Sequence, residues 1–212
     1  MTRTDPPPEP RVEVLSRTSA YRGYFRIDRY RLRHRLFAGG MSAPIEREVA
    51  ERGHAAGVLP YDPVRDAVVL IEQFRVGALA AGREPWLLEV VAGIVEPGEA
   101  HADVARREAR EEAGIAVRRL VLISDLLLSA GALSETFRLY CGEVDAGGAG
   151  GIHGLGHEGE DIRAELVPLR RALAMLRQGR VANAPVVIAL QWLALNRRRL
   201  RREWLAGETT RR

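Results

Sequence analysis

The sequence predicts an α+β fold in which helices cover the faces of a mixed β-sheet, and two observations support this prediction. Short apolar runs typical of strands recur through most of the chain. Helical periodicity is confined to a central segment, 100–113, and two closing segments, 169–178 and 184–205. Because strands precede and surround the central helix, the pattern favours α+β over a regular alternation of strands and helices.

Length and composition set the domain organisation. The 212 residues suffice for one sizeable core with a small appended subdomain, and 46% hydrophobic and 28% charged residues are normal for a globular protein. We predict a disordered arm at 1–10, which is polar and proline-rich, and an N-terminal β subdomain at 11–53. The main domain is expected at 54–206 and a tail at 207–212.

Several classes of protein are disfavoured. The longest apolar runs, such as 67–71 and 185–190, are far too short to span a bilayer, and the first ten residues contain no apolar core of a secretion signal. Cys141 is the single cysteine, so no internal disulfide can form, and we expect a cytoplasmic protein without membrane partners. We interpret Cys141, which lies in an apolar strand-like run, as a buried structural residue.

The charge distribution bears on possible partners. The net charge of +4 suggests anionic ligands, and arginines are concentrated in 22–35 and 197–212. In 24–37 arginines alternate with Tyr30, Leu32 and His34, which predicts a strand with one apolar face and one arginine face. His34 lies on the apolar face and is expected in the core. The arginine face could bind phosphates or nucleic acid, but we favour a solvated or subunit-contacting face and expect no nucleic-acid partner.

The remaining elements follow from short apolar runs and breakers. A helix at 100–113 is followed by Gly114, which suits a helix C-cap, and Asn183 is a plausible N-cap for the last helix. The glycine-rich segment 145–161 is expected to be a loop. Further strands are predicted at 45–50, 55–59, 67–75, 86–92, 120–128, 137–144 and 162–167.

The central helix carries a cluster of carboxylates. Glu108, Glu111 and Glu112 are spaced i, i+3 and i+4, so they share one face, where like charges repel each other mildly. A divalent cation would relieve this repulsion, and all-oxygen ligands favour magnesium or manganese. The alternative is an ordinary charged helix with Glu–Arg pairs, and the helix alone does not exclude it.

The residues around the helix exclude that alternative. Gly93, Glu99, Arg107, the three glutamates and Gly114, with apolar Ala109 and Ile115, fill every position of G-x5-E-x7-R-E-U-x-E-E-x-G-U, where U is apolar. Residue frequencies give a chance match on the order of 10⁻⁸ per starting point. The segment resembles the signature of the Nudix hydrolases, which implies the Nudix fold and a loop–helix–loop that binds metal ions against a substrate diphosphate.

The resemblance implies roles for the residues of this signature. Glu108 and Glu112 would bind Mg²⁺, with Mn²⁺ as a possible substitute, and Glu111 would lie close by. Glu99 and Arg107 would form an ion pair that holds the loop against the helix. Divalent ions suit this reaction because they neutralise the negative charge of a phosphoric anhydride, which otherwise repels the attacking hydroxide.

The resemblance extends from Tyr21 to about Asn196 and is to the bacterial ADP-ribose pyrophosphatases. It rests on blocks such as 33–37 (RHRLF), 51–56 (ERGHAA), 69–73 (VLIEQ), 85–89 (PWLLE) and 160–163 (EDIR). It implies magnesium-dependent hydrolysis of ADP-ribose to AMP and ribose 5-phosphate. It also implies a homodimer with exchanged N-terminal segments.

Further site residues follow from this resemblance. The base would be Glu158, and the additional metal ligands would be Glu160 and the backbone carbonyl of Ala92. The implied substrate contacts are Tyr24 and Phe25, from the partner subunit, with Arg47 and Glu48 for adenine; Arg52 and Arg75 for the phosphates; Ile94, Ser129, Ala130 and Gly131 for the cleft wall; and Glu135 for the terminal ribose.

One position departs from the subfamily pattern. A proline normally follows the serine of the turn at 129–131 and marks a preference for ADP-ribose, but this chain has Ala130. Hydrolysis of another nucleoside-diphosphate sugar, such as ADP-glucose or GDP-mannose, is therefore the alternative. A nucleotide-sensing regulatory module is a second alternative, supported only by the arginine-rich segments.

Overall fold

The computed structural model describes residues 11–156 and 159–209, which form two compact units. Unit 1 comprises the described residues up to Gly53 together with Ser129–Glu135. Unit 2 comprises His54–Leu128 and the described residues from Thr136 onward. None of the described helices is both long and apolar enough to cross a membrane.

Unit 1 is built on a three-stranded antiparallel sheet. Its strands are β1 (Val12–Arg22), β2 (Arg26–His34) and β3 (Ile45–Glu51), in the order β1-β2-β3. The sequence pattern did not predict β1, because two register shifts along it, at Val14/Ser16 and Ser19/Tyr21, interrupt the alternation of faces. The arginine-alternating strand ends at His34 and does not continue to residue 37.

The sheet of unit 1 buries almost nothing. Asp28 is the only side chain among residues 11–53 that is buried, and no apolar side chain there is. The prediction that His34 lies in the core is therefore wrong: the residue is exposed, and its Nδ1 is 3.1 Å from the carbonyl oxygen of Arg35.

Unit 2 contains a mixed eight-stranded sheet. Its order is β10-β11-β5-β4-β9-β8, with β6 paired to β5 and β7 paired to β4, and the β4–β9 pair is parallel. The strands are β4 (Ala55–Asp62), β5 (Ala67–Phe74), β6 (Trp86–Glu89), β7 (Val91–Ile94), β8 (Leu120–Leu127), β9 (Thr136–Glu143), β10 (Gly151–His153) and β11 (Ile162–Pro168).

Helices cover both faces of this sheet, as predicted for an α+β fold. The four described helices are α1 (Val76–Ala80), α2 (His101–Ala113), α3 (Leu169–Arg177) and α4 (Ala184–Thr209). One apolar cluster joins α2 to the sheet, and a second joins α3 and α4 to it. The Asn183 side chain accepts a hydrogen bond from the N–H of Val186 at 3.4 Å, as expected of the N-cap of α4.

The central strands are apolar along their whole length because both faces of the sheet are covered. Every residue of β4 is buried, and Val58 and Leu59 belong to opposite apolar clusters. Pro60 lies where β4 exchanges one neighbour for another: residues up to Val58 pair with β7, and Tyr61 pairs with β5. A proline fits this point because it has no N–H to contribute to a ladder.

Two predictions for unit 2 need correction, and one short helix was not predicted. The expected strand at 86–92 is two strands, since β6 pairs with β5 whereas β7 pairs with β4. The loop at 145–161 contains the short strand β10, which pairs with β11 in spite of its glycine. The one-turn helix α1 buries no residue and so lacks the apolar periodicity that would have predicted it.

Candidate active site

Helix α2 is fixed against the sheet by small side chains and by its C-cap. Ala105, Ala109 and Ala113 are all buried against the sheet. Gly114 has the left-handed conformation (φ 65°) that ends a helix, and the N–H of Ile115 donates to the carbonyl of Ala109 at 3.0 Å. The face carrying the glutamates is therefore held in a defined orientation.

The carboxylates of Glu108 and Glu112 lie against strand β7. The N–H of Ala92 donates to Oε2 of Glu112 at 3.0 Å, and Glu112 is only 3% exposed. A Cβ placed on Gly93 would lie 1.7 Å from Oε1 of Glu108. The glycine at 93 is thus required by the close approach of the Glu108 carboxylate to the strand.

Arg107 connects the signature residues to one another. Its guanidinium pairs with Glu99 at 3.3 Å, the ion pair that the family resemblance implied, and its Nη1 also donates to Glu108 at 2.7 Å and to Glu111 at 3.0 Å. Its Nη2 lies 3.5 Å from the carbonyl oxygen of Ile94. Arg107 therefore links the loop before α2 to two of the carboxylates on the helix.

The carboxylates on α2 perturb each other electrostatically. Burial raises the pKa of Glu112 to about 8, and repulsion from Glu108 and Glu160 acts in the same direction, against the hydrogen bond from Ala92 and attraction to Arg75. Burial also raises the pKa of Glu108, against the attraction of Arg107. Negative charge at this position is unfavourable unless a cation compensates it.

The donor chemistry of the cluster fits a hard divalent cation. Glu108, Glu111, Glu112 and Glu160 offer only carboxylate oxygens, and Glu108 lies in a recess that any Cβ at position 93 would fill. In the part of the chain that the structure describes, no three acidic, histidine or cysteine side chains are arranged as a metal-ligand group. Glu108 and Glu111 share Nη1 of Arg107 instead.

The glycine-rich loop contributes a further carboxylate, Glu160, near those of helix α2. Oε2 of Glu160 accepts the N–H of Leu155 at 3.1 Å, and its charge acts on Glu108, Glu112 and Arg75. Glu158, the base implied by the resemblance, lies outside the described residues.

Arg75 belongs to a polar network around the buried carboxylate of Glu89 that the sequence analysis missed. Its Nη2 donates to Oε2 of Glu89 at 2.7 Å, and its Nε donates to Oε1 at 3.1 Å. Asn183 and Gln73 donate to the same carboxylate, at 3.0 and 3.4 Å. The sequence feature that could have pointed to this network was a single charged residue, Glu89, at the end of an otherwise apolar strand.

Two of the proposed substrate residues meet within unit 1. Nη1 of Arg52 lies 3.2 Å from Oε1 of Glu135, whose side chain is only 3% exposed. The neighbouring Ser134 hydroxyl donates to Glu51 at 2.6 Å, and the N–H of Ala50 donates to the carbonyl of Ala132 at 2.8 Å. The segment Ser129–Glu135 is therefore attached to the end of β3 at several points.

The segment begins with the turn that lacks the marker proline. The carbonyl of Ser129 accepts the N–H groups of Ala132, at 2.9 Å, and Leu133, at 2.8 Å. This bonding places Ala130 at the second position of a β-turn, where proline is favoured. The turn therefore closes without the proline ring.

The proposed adenine contacts are exposed in unit 1. Tyr24 and Phe25 form an edge-to-face pair with ring centroids 5.0 Å apart, and Tyr24 is 87% exposed. Arg47 and Glu48 are consecutive on β3 and so point to opposite faces of the sheet. Glu48 pairs with Arg29 at 2.9 Å, whereas Arg47 donates to the carbonyl of Glu46 at 2.7 Å.

Comparison with known proteins assigns a family to this fold and signature. Residues 51–190 match the NUDIX domain, and the chain belongs to the NUDIX domain family. It is 53% identical over 193 residues to an ADP-ribose pyrophosphatase of Escherichia coli K12, covering 91% of this chain and 92% of that protein. It is 43% identical over 196 residues to one from Haemophilus influenzae, covering 91% and 90%.

Two further likenesses are more distant. A GDP-mannose pyrophosphatase of Citrobacter koseri is 35% identical over 153 residues, which cover 70% of this chain and 77% of that protein. The solved structure of an ADP compounds hydrolase superposes with a TM-score of 0.66 at 23% identity, covering 94% of this chain and 96% of that one. At this identity the superposition shows that the fold is shared.

Proposed function

We propose that this chain hydrolyses the pyrophosphate of ADP-ribose to AMP and ribose 5-phosphate. The carboxylate cluster of Glu108 and Glu112, set against Ala92 and Gly93, is the observation that carries the proposal. The substrate is supported by 53% and 43% identity, each over about nine tenths of the chain, to proteins described as ADP-ribose pyrophosphatases.

The metal that we propose is Mg²⁺, with Mn²⁺ as a substitute. The carbonyl of Ala92 and the carboxylates of Glu108, Glu111, Glu112 and Glu160 would hold it. When bound, the metal would neutralise the diphosphate charge and polarise its P–O bonds. The raised pKa of Glu112 supports this assignment because a cation would offset the cost of ionising a buried carboxylate.

The chain's own residues would bind and orient the substrate. We assign Arg75 and Arg52 to the phosphates, since a guanidinium can bind phosphate oxygens in pairs. Glu135 is assigned to the terminal ribose, and its ion pair with Arg52 supports adjacent roles for these two side chains. Glu158 is assigned as the general base, and Ile94 and the 129–131 turn as the wall of the cleft.

We also propose that the protein is a cytoplasmic homodimer with exchanged N-terminal segments. The sheet of unit 1 supports this, because it leaves Val12, Val14, Tyr21 and Tyr24 more than half exposed and buries no apolar side chain among residues 11–53. Strands that expose apolar side chains in this way are usually covered by another subunit. Tyr24, Phe25, Arg47 and Glu48 would then complete the adenine site of the other subunit.

The assembly can be tested with one substitution on β1. Val14→Glu places a charge on an exposed side chain, so it should shift a dimer toward monomer without unfolding unit 1. Leu195→Glu, at an exposed position of α4, is the matched control. Light scattering that finds a wild-type monomer with full turnover would contradict the dimer.

A substrate screen tests the reaction. With Mg²⁺ present, kcat/KM for ADP-ribose should exceed the values for ADP-glucose and GDP-mannose. GDP-mannose belongs in the screen because a GDP-mannose pyrophosphatase is 35% identical to the chain. A higher kcat/KM for either competitor would replace ADP-ribose as the substrate, and no turnover of any of the three would reject the proposed reaction.

A further inference from the structure

The network around Glu89 lies next to the carboxylate cluster without belonging to it. Glu89 ends strand β6, is 6% exposed, and has both carboxylate oxygens occupied by donors. Arg75 supplies two of these donors in the fork geometry that makes arginine–carboxylate pairs strong. Asn183 supplies another and also caps helix α4, so the carboxylate is anchored to a second element.

Arg75 has two competing sets of carboxylates within its electrostatic range. It is bonded to Glu89, but it is also attracted by Glu112 and Glu160. Its side chain remains 45% exposed, and among the described residues its Nη1 donates no hydrogen bond. One edge of the guanidinium is therefore held by Glu89 while the remaining N–H groups are available.

Releasing Arg75 would have a predictable consequence. A flexible cation beside Glu112 and Glu160 would form ion pairs with them, because the two carboxylates repel each other and Glu112 is almost fully buried. The arginine would then occupy carboxylate oxygens that a divalent cation needs. It would also lose the orientation needed to bind a phosphate.

We propose that Glu89 is a positioning residue that holds the Arg75 guanidinium away from Glu112 and Glu160. The carboxylates then stay available to a divalent cation and the guanidinium to a substrate phosphate. Asn183 keeps the Glu89 carboxylate in place from the start of α4. The inference rests on the proposed function for the roles of metal and phosphate, but the ion-pair competition itself does not depend on the identity of the sugar.

The test is a double-mutant cycle read out as Mn²⁺ binding by calorimetry, without substrate. Glu89→Gln keeps the shape of the side chain but removes its charge, and it should weaken Mn²⁺ binding about 10–100-fold. In the Arg75→Ala background the same substitution should change Mn²⁺ binding less than about twofold, because no guanidinium remains to compete. Glu72→Gln, which removes a carboxylate paired to Arg163 on the neighbouring strand, is the control and should leave Mn²⁺ binding unchanged.

A purely structural role for Glu89 gives a different pattern. Glu89→Gln would then weaken Mn²⁺ binding equally with and without Arg75, and this result would overturn the inference. A Glu89→Gln variant that binds Mn²⁺ as tightly as the wild type would also overturn it. If Glu89→Gln does not fold by circular dichroism, Asn183→Ala serves in its place. It should weaken Mn²⁺ binding when Arg75 is present and not in the Arg75→Ala background, and any other result would overturn the inference. Turnover of ADP-ribose by the wild type is measured separately and tests only the proposed function.

Discussion

Gly93→Ala tests the close approach of strand β7 to helix α2. An added Cβ would lie 1.7 Å from Oε1 and 2.1 Å from Cδ of Glu108, whereas ordinary contact begins near 3.4 Å. The carboxylate must therefore move by about 1.7 Å. Since a misplacement of about 1 Å can lower a rate about 10²-fold, we expect kcat to fall by at least about 10².

The fold should survive this substitution. Gly93 does not have a positive φ, and the atoms that must move belong to a glutamate side chain and not to the backbone. Gly77→Ala is the matched control, because a Cβ at that position meets no atom within 4 Å. Steady-state kinetics with saturating Mg²⁺, together with thermal unfolding, measures both effects. A Gly93→Ala variant with wild-type kcat would refute the assignment of the Glu108 carboxylate to the reaction.

Three further predictions address the stability of the fold, the turn at 129–131 and the proposed base. Asp62 accepts hydrogen bonds from the N–H groups of Val64, Arg65 and Ala146, which hold its pKa below 3.8 in spite of burial. Asp62→Asn should therefore lower the free energy of unfolding by about 1–3 kcal/mol at pH 7. Because the pKa of Asp62 is lower in the folded than in the unfolded chain, the difference in unfolding free energy between wild type and variant should shrink as the pH falls below about 3.8. A difference that chemical denaturation finds to be independent of pH would contradict the reasoning. Ala130→Pro should raise stability by about 0.4–1 kcal/mol and keep ADP-ribose turnover, since the second turn position suits proline; a tenfold loss of kcat/KM would count against it. Glu158→Gln should lower kcat by about 10²–10⁴ with little change in KM, whereas Glu160→Gln should raise the Mg²⁺ requirement; the reverse result would exchange their roles.

The sequence predicted those elements whose signal is local. Helix α2, with its stripe of alanines and its glycine cap, has the expected end at Ala113. Strands β4 and β5 were recognisable because both faces are apolar. In each case the pattern that predicts the element lies within the element itself or in the residue next to it.

Elements that depend on distant partners were not predictable in this way. The run 86–92 has one composition, yet β6 and β7 divide it because they pair with different strands. Strand β10 exists because β11 pairs with it, although a glycine-rich segment alone favours a loop. The bulged strand β1 shows no continuous alternation, so its pairing with β2 could not be read from its own residues.

The same distinction applies to the candidate site. The carboxylates on α2 were predictable because helix geometry alone places them on one face. The bonds of Glu89 with Arg75 and Asn183 join residues 14 and 94 positions apart, and no short motif contains them. Long-range polar networks of this kind become visible only when the strands and helices have been assembled.

The most direct test of the central claim is the initial rate of ADP-ribose hydrolysis, measured across a Mg²⁺ titration for the wild type and Glu112→Gln. We predict a wild-type rate that rises from near zero to saturation and yields AMP and ribose 5-phosphate. Glu112→Gln should remain folded and lose most of this rate at every Mg²⁺ concentration. A wild-type rate that does not depend on divalent cations, or a Glu112→Gln variant with the wild-type titration curve, would contradict the claim.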